Sequence, residues 1–202
     1  MERIYTELNQ FSQWPSSQRT AALKQLLPRE LMAEVVTESS LPSNFCCRLL
    51  NWFMLWFVVG IGLFSRDSYR QVFKWLNPFR PKGTPERSTL CMARVRLGVA
   101  PVRRLQERVT ALLATRATPG AFHHQYRLMG LDGFAADLAD SAANTRAFGH
   151  PGSGRATGAF PQARVLSLCE LGTHVLWRSL IKPCRRGEVT MAPALLRHLT
   201  SE

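Results

Sequence analysis

The chain has 202 residues and a formal charge of +12, from 26 Lys+Arg against 14 Asp+Glu, with 46% apolar and 20% charged residues. That much apolar side chain can build a core, which excludes a disordered polyelectrolyte, and the length holds one full domain or two small ones rather than a multidomain enzyme or a repeat array. Five scattered cysteines (Cys46, Cys47, Cys91, Cys169 and Cys184) form no C-x-x-C pair, so a disulfide scaffold and a zinc finger are both poor fits and a reducing interior is expected.

The amino terminus carries Glu2 and Glu7 and lacks the basic, then apolar, then small-residue order of a secretory signal, so the protein is expected to stay where it is made. Its charge is concentrated: residues 65 to 130 hold 13 Lys+Arg against 3 Asp+Glu. A localised field of that size attracts nucleic acid or an anionic membrane surface, unless it is simply a solvated basic face.

In chain order, residues 18 to 38 read as two short helices, with Leu23, Leu26 and Leu27 at helical spacing, then Leu31, Val35 and Val36, and Pro28 in the first turn of the second. Ser43 is the expected N-cap of the next segment. Residues 49 to 64, LLNWFMLWFVVGIGLF, are nearly all apolar. At 1.5 Å per residue they reach ~24 Å, short of the ~30 Å hydrocarbon core, so a helix buried within a helical domain is preferred to a membrane span. The alternative, a membrane anchor over residues 45 to 64 with the basic segment beside anionic lipid, is kept as the third reading.

Tyr69, Val72, Phe73 and Leu76 form one face of a further helix, with Arg66, Arg70 and Lys74 on another, and NPFRPKGTP makes a basic loop. Ser88 or Thr89 can cap a helix that buries Met92, Val95 and Leu97, points Arg94 and Arg96 elsewhere and closes at Gly98. The next helix, PVRRLQERVTALLA, buries Val102, Leu105, Val109, Leu112 and Leu113 and leaves Arg103, Arg104 and Arg108 for solvent or phosphate. Two helices meeting at LGVAP have the outline of a helix-turn-helix, a signal that any two amphipathic helices with a glycine turn share.

After Pro119-Gly120 the texture changes to short apolar runs punctuated by Gly, Pro and Asn, which sets a boundary between residues 1–118 and 119–202. Residues 126 to 132 read as a strand, 162 to 170 as a second and 174 to 182 as a third, with LGT turning between the last two, and 187 to 199 as a closing helix. Asp132 ends the first strand, with Asp137 and Asp140 close behind. Carboxylates on strand ends suit hard divalent ions, but on spacing alone a lone Asp-Gly is read first as an ordinary turn signal. His123-His124 reads as a loop end, Cys46-Cys47 as helix packing and the tryptophans as core.

Residues 41 to 198 resemble the bacterial insertion-sequence transposases of the DDE superfamily, in the family typified by insertion element four. The likeness is carried by LPSNFCCRLLNWFMLWFVVGIGLFSRDSYRQVFKWL, by STLCMARVRLGVAPVRRL, by LDGFAADLADSAANTRAFGHPGS and by GAFPQARVLSLCELGTHVLWRSL. It implies an α+β chain: an all-helical N-terminal domain, basic and DNA-binding, followed by a truncated RNase H-like α/β domain of three strands and one helix.

By matching position, Asp132 is then the first acidic residue of a DDE triad and a ligand of Mg²⁺ or Mn²⁺, while Asp140 and Asn144 match a recurrent Asp and Asn. Phe134 departs from the small hydroxyl residue expected after Asp-Gly. The second aspartate and the glutamate of the triad have no counterpart here, Glu170 and Glu188 falling at a strand turn and a helix start. In the complete family protein the chemistry is hydrolysis at the element's end and attack of the resulting 3′-end on target DNA. A single carboxylate cannot hold two ions ~3.5–4 Å apart, so the fragment alone is expected to be inactive and to hold no stably bound ion.

What remains is DNA binding through Lys74, Arg80, Lys82, Arg94, Arg96, Arg103, Arg104 and Arg108, with transposon ends as the partner and a cytoplasmic, nucleoid-associated location. The second reading is a non-catalytic DNA-binding or interaction protein that inhibits full-length transposase. In the RNase H-like order third, second, first, fourth, fifth, the strand of Asp132 lies at an edge unless a fourth strand follows, which implies marginal stability or self-association.

Overall fold

Proline and serine set where the first helices begin. The computed structural model of the chain describes residues 13–39, 49–77, 83–153 and 156–199. Pro15 and Pro28 each occupy the position before a helix, where a missing N–H leaves nothing unsatisfied, so α1 (Ser16–Leu26) and α2 (Arg29–Glu38) are separated at Leu27 and Pro28. Pro28 therefore stands just ahead of the first turn expected to contain it. The expected cap at Ser43 and the Cys46-Cys47 pair lie outside the described residues.

α3 (Asn51–Leu63) is the apolar segment, and its 13 residues bury Phe53, Met54, Leu55, Trp56, Phe57 and Gly60. It packs among the other helices of its unit as a core element, and among the described residues no helix is long and apolar enough to cross a membrane. Trp56 Nε1 donates to the Leu27 carbonyl at 2.7 Å, satisfying an acceptor left over at the end of α1. α4 (Tyr69–Leu76) is capped by Ser68, whose hydroxyl accepts from Gln71 N at 3.2 Å, and it buries Val72, Phe73 and Leu76 on the expected face. Phe53 and Phe73 meet edge-on at 5.3 Å between centroids, as do Phe57 and Tyr69 at 5.7 Å.

α5 (Arg87–Leu97) starts after Glu86 rather than at Ser88 or Thr89, and buries Leu90, Ala93 and Leu97. Met92 and Val95, expected inside, are each 69% exposed. The row Leu90, Ala93, Leu97 wins because it sets two leucines around a small alanine, which lets the helix approach the core closely. Gly98, with φ +69, closes α5 in the left-handed conformation that favours glycine. α6 (Ala100–Val109) buries Pro101 and Leu105 and ends at Val109, so the expected burial of Val109 and Leu113 does not occur.

The rest of the chain is built on short strands: β1 (Phe122–His123) and β2 (Tyr126–Arg127) form a hairpin, followed by β3 (Met129–Asp137), α7 (Ala142–Phe148), a second small pair β4 (Gly152–Ser153) and β5 (Ala156–Thr157), then β6 (Gln162–Glu170), β7 (Val175–Pro183) and α8 (Glu188–Leu196). The main sheet is antiparallel with order β3-β6-β7, in a register that sets Asp132 beside Ser167 and Ser167 beside Ser179. α8 covers one face, where Leu166 and Leu168 are buried with Met191 and Leu195. The chain is thus α+β with a helical N-terminal region, and it divides into two compact units, Met1–Gln106 and Glu107–Glu202. That division falls earlier than the composition change at Pro119, because residues 110–114 leave the helix and bond to the sheet unit.

Gly60 is the point of closest approach between α3 and α4: a Cβ there would lie 3.1 Å from Leu76 Cδ1 and 3.2 Å from Val72 Cγ1. Gly60→Val is expected to lower the stability of the helical unit by about 1–3 kcal/mol through overpacking, read as a shift in the chemical-denaturation midpoint. An unchanged midpoint would mean that the two helices separate freely.

Candidate functional site

The residues expected to form a site fall on two features: the strand that carries Asp132, and the arginines of α5 and α6. β3 runs on past Asp132 to Asp137, so Asp132-Gly133 is the middle of a strand and not a turn. Asp132 is exposed on the sheet face opposite α8, and its Oδ1 accepts from Gly133 N at 2.8 Å. Phe134, two residues on and so on the same face, is 59% exposed. Asp137 is an odd number of residues away, projects to the other face and accepts from Gln162 Nε2 at 3.0 Å.

Asp140 follows the strand. Asn144 has a local role: its backbone N–H donates to the Ser141 hydroxyl at 3.2 Å and its Nδ2 to the Ala139 carbonyl at 2.9 Å, which together build the start of α7. The three aspartates are not gathered, and among the described residues no group of three His, Cys, Asp or Glu side chains could hold a metal ion. Asp132 alone therefore does not fit a two-ion centre. Asp132 also lies on a sheet edge, because β3 pairs with β6 on one side and with no strand on the other among the described residues.

The carboxylate that does gather partners is Glu170, at the end of β6. It is fully buried and accepts from Leu113 N and Ala114 N, each at 2.9 Å, from the Thr173 hydroxyl and from Arg127 Nη1. Burial pushes its carboxyl up, but those four donors outweigh burial and hold it below the usual range. A signal was present in the sequence: Glu170 is in phase with Leu166 and Leu168, so a strand reading puts it on the covered face, where a charge needs partners. Its bonds also explain why α6 stops short, since Leu113 and Ala114 give their N–H groups to this side chain.

The predicted DNA-binding cations divide by what they already hold. Arg94 lies over the Tyr69 ring, 5.4 Å from its centroid, and bonds the Tyr69 hydroxyl. Arg96 donates to the Leu49 carbonyl at 2.6 Å, and Arg104 pairs with Glu38 at 2.6 Å. Arg94 and Arg96 thereby help hold the helical unit together, while Arg104 has its charge offset by Glu38. Arg103 and Lys74 are exposed, with no ion pair among the described residues, and Arg108 is exposed with an interaction of its own. Arg80 and Lys82 lie outside the described residues. α5 and α6 are joined through Gly98 and Val99, and the surface around this join carries Met92, Val95 and Val99 as well as arginines.

Residues 17–107 match the family model of the insertion element 4 transposase N-terminal. The helical unit is thus similar to the N-terminal domain of the insertion element 4 transposases. It is similar to the transposase InsG for insertion sequence element IS4 of Escherichia coli (strain K12), 27% identical over 177 residues, which is 87% of this chain and 40% of that protein. The likeness thus extends beyond the helical unit, while the chain spans about two fifths of the relative's length. No solved structure matches.

Because the folded Glu170 carboxyl lies below its ordinary value of 4.5, the stabilisation it brings is fully present above that pH and is lost as pH falls through the lower folded value. Glu170→Gln is expected to lower stability at neutral pH by on the order of 3 kcal/mol and to flatten the acid limb of the stability–pH curve. A variant that melts like the parent at neutral pH and along the acid limb would show the network to be dispensable.

Proposed function

We propose that the chain acts in DNA transposition as the DNA-binding portion of an insertion element 4 type transposase, its helical unit holding duplex phosphates. The observation that carries this reading is the match of that unit to the transposase N-terminal family together with exposed cations on it. Arg103 and Lys74 are the side chains with charge to spare, Arg94 and Arg96 contribute field while they brace the helices, and Arg104 contributes less because Glu38 is beside it. Contacts of this kind neutralise phosphates and position the protein without reading bases.

The sheet unit is proposed as the beginning of an RNase H-like domain. Its antiparallel sheet has the order third, second, first, which supports that reading, with Asp132 on the first strand. In the complete protein Asp132 is proposed as one ligand of a Mg²⁺ or Mn²⁺ centre whose ions would activate a nucleophile and steady the leaving oxygen. The described residues gather no further carboxylates around Asp132, and the second reading is a non-catalytic protein that occupies element ends or pairs with a full-length transposase. The open edge of β3 supports self-association or strand pairing with such a partner.

Duplex binding measured across a salt series tests the reading. Arg103→Ala is expected to reduce the slope of log K against log[salt] by about 1, and Arg104→Ala by less because Glu38 already neutralises it. An unchanged slope in Arg103→Ala would remove this patch from the proposal. In a nicking assay with Mn²⁺ the chain is expected to be inactive; activity that disappears in Asp132→Asn would overturn that expectation. Size exclusion at rising concentration should show self-association that Ala135→Lys, on the open strand, suppresses, and a monomer at every concentration would contradict the edge-pairing proposal.

A further inference from the structure

The sheet unit contains a cavity of about 720 Å³, within the range of small-ligand sites, between the segment after α6, the β1–β2 hairpin, β7 and the residues following α8. It is not a packing defect of the core. Tyr126, on its wall, is 62% exposed, and Gln125 and Arg116 are exposed as well. The floor is rigid, because Arg127 is committed to Glu170 and to the Ala114 carbonyl at 3.1 Å, and Trp177 packs against the apolar cluster under α8.

Three features of the lining specify a ligand. No lining residue is acidic and the charge of Arg127 is already met by Glu170, so the cation facing the cavity is Arg116, which favours an anion there. Arg116 spends one N–H on the His124 carbonyl at 2.9 Å and lies 4.7 Å from the Phe122 ring centroid, which leaves most of its five donors for an incoming group. Tyr126 offers a ring to stack on, and the Gln125 amide carries both a donor and an acceptor, the pattern that meets the polar edge of a heterocycle.

An anion, a flat ring and a donor–acceptor edge together describe a nucleotide. We infer that this cavity is a binding site for an unpaired nucleotide of single-stranded nucleic acid, its base stacked on Tyr126 and its phosphate held by Arg116. A base still paired in a duplex does not present its face, so the site takes a frayed or displaced strand and is separate in place and chemistry from the duplex contacts proposed for the helical unit. Phe122 acts here as a platform for the two guanidiniums, with Arg127 4.9 Å from its centroid.

The test is fluorescence anisotropy of the full chain with two probes, a fluorescein-labelled oligothymidylate and a fluorescein-labelled duplex. Tyr126→Ala is expected to weaken oligothymidylate binding roughly five- to hundredfold and leave duplex binding unchanged, while Tyr126→Phe, which keeps the ring, binds like the parent. Arg116→Ala should weaken oligothymidylate binding and lower its salt dependence. Thermal melts equal to the parent's establish that the variants are folded, and Tyr126→Phe preserves a comparison if the alanine variant is not. Retention of oligothymidylate binding in Arg103→Ala supports two separate sites. The inference is overturned if the parent does not bind oligothymidylate, if Tyr126→Ala binds it like the parent, or if Tyr126→Ala loses affinity for both probes equally.

Discussion

A single buried carboxylate organises the second unit. Glu170 ends the central strand of its sheet with no exposed surface, and an ion in that position is tolerated only because four donors converge on it. Two of those donors are consecutive backbone amides after α6, and taking them fixes the chain's route into the sheet. A third, Arg127, closes the base of the β1–β2 hairpin. The turn residue Thr173 is the fourth, and with Gly172 at φ +89 it shapes the connection to β7. The hairpin, the entry segment and the central strand therefore stand or fall together, and the cavity beside the hairpin inherits its shape from them.

The helical unit follows a different logic, in which positive charge serves folding as well as the DNA contacts proposed for it. Its core is aromatic and tightly crossed, and the α5 arginines that reach back to Tyr69 and Leu49 lock helices whose apolar faces are short. An exposed ion pair such as Arg104 with Glu38 adds little stability by itself, so its main effect is to reduce the charge that side chain can offer to a phosphate. The surplus charge is concentrated on fewer side chains than a count of arginines suggests.

Much of this organisation was legible in the amino-acid order. The limits of β6 coincide with the run QARVLSLCE, and Gly172 marks the turn that follows, because an apolar strand bounded by turn residues is a strong local pattern. The apolar segment of α3 was readable as core since its length falls short of a bilayer. Where the reading failed, tertiary contacts overrode local pattern. Hydrophobicity alone sets the phase of α5 on Met92 and Val95, whereas close packing favours Leu90, Ala93 and Leu97. The end of α6 was hidden because its cause, Glu170, lies far along the chain. Asp132 was placed at a strand end because Asp-Gly usually turns, whereas pairing of Gly133 with Leu166 carries the strand through. The candidate ligand itself was visible only by resemblance, since one exposed aspartate has no signature of its own.

Hydrogen–deuterium exchange of the chain with and without a DNA duplex tests the account most directly. It predicts slowed exchange along α5 and α6, centred on the join at Gly98 and on Arg103, with the amides of β3 unchanged. Protection confined to β3 around Asp132, with the helices unaffected, would contradict it and move the duplex to the sheet unit.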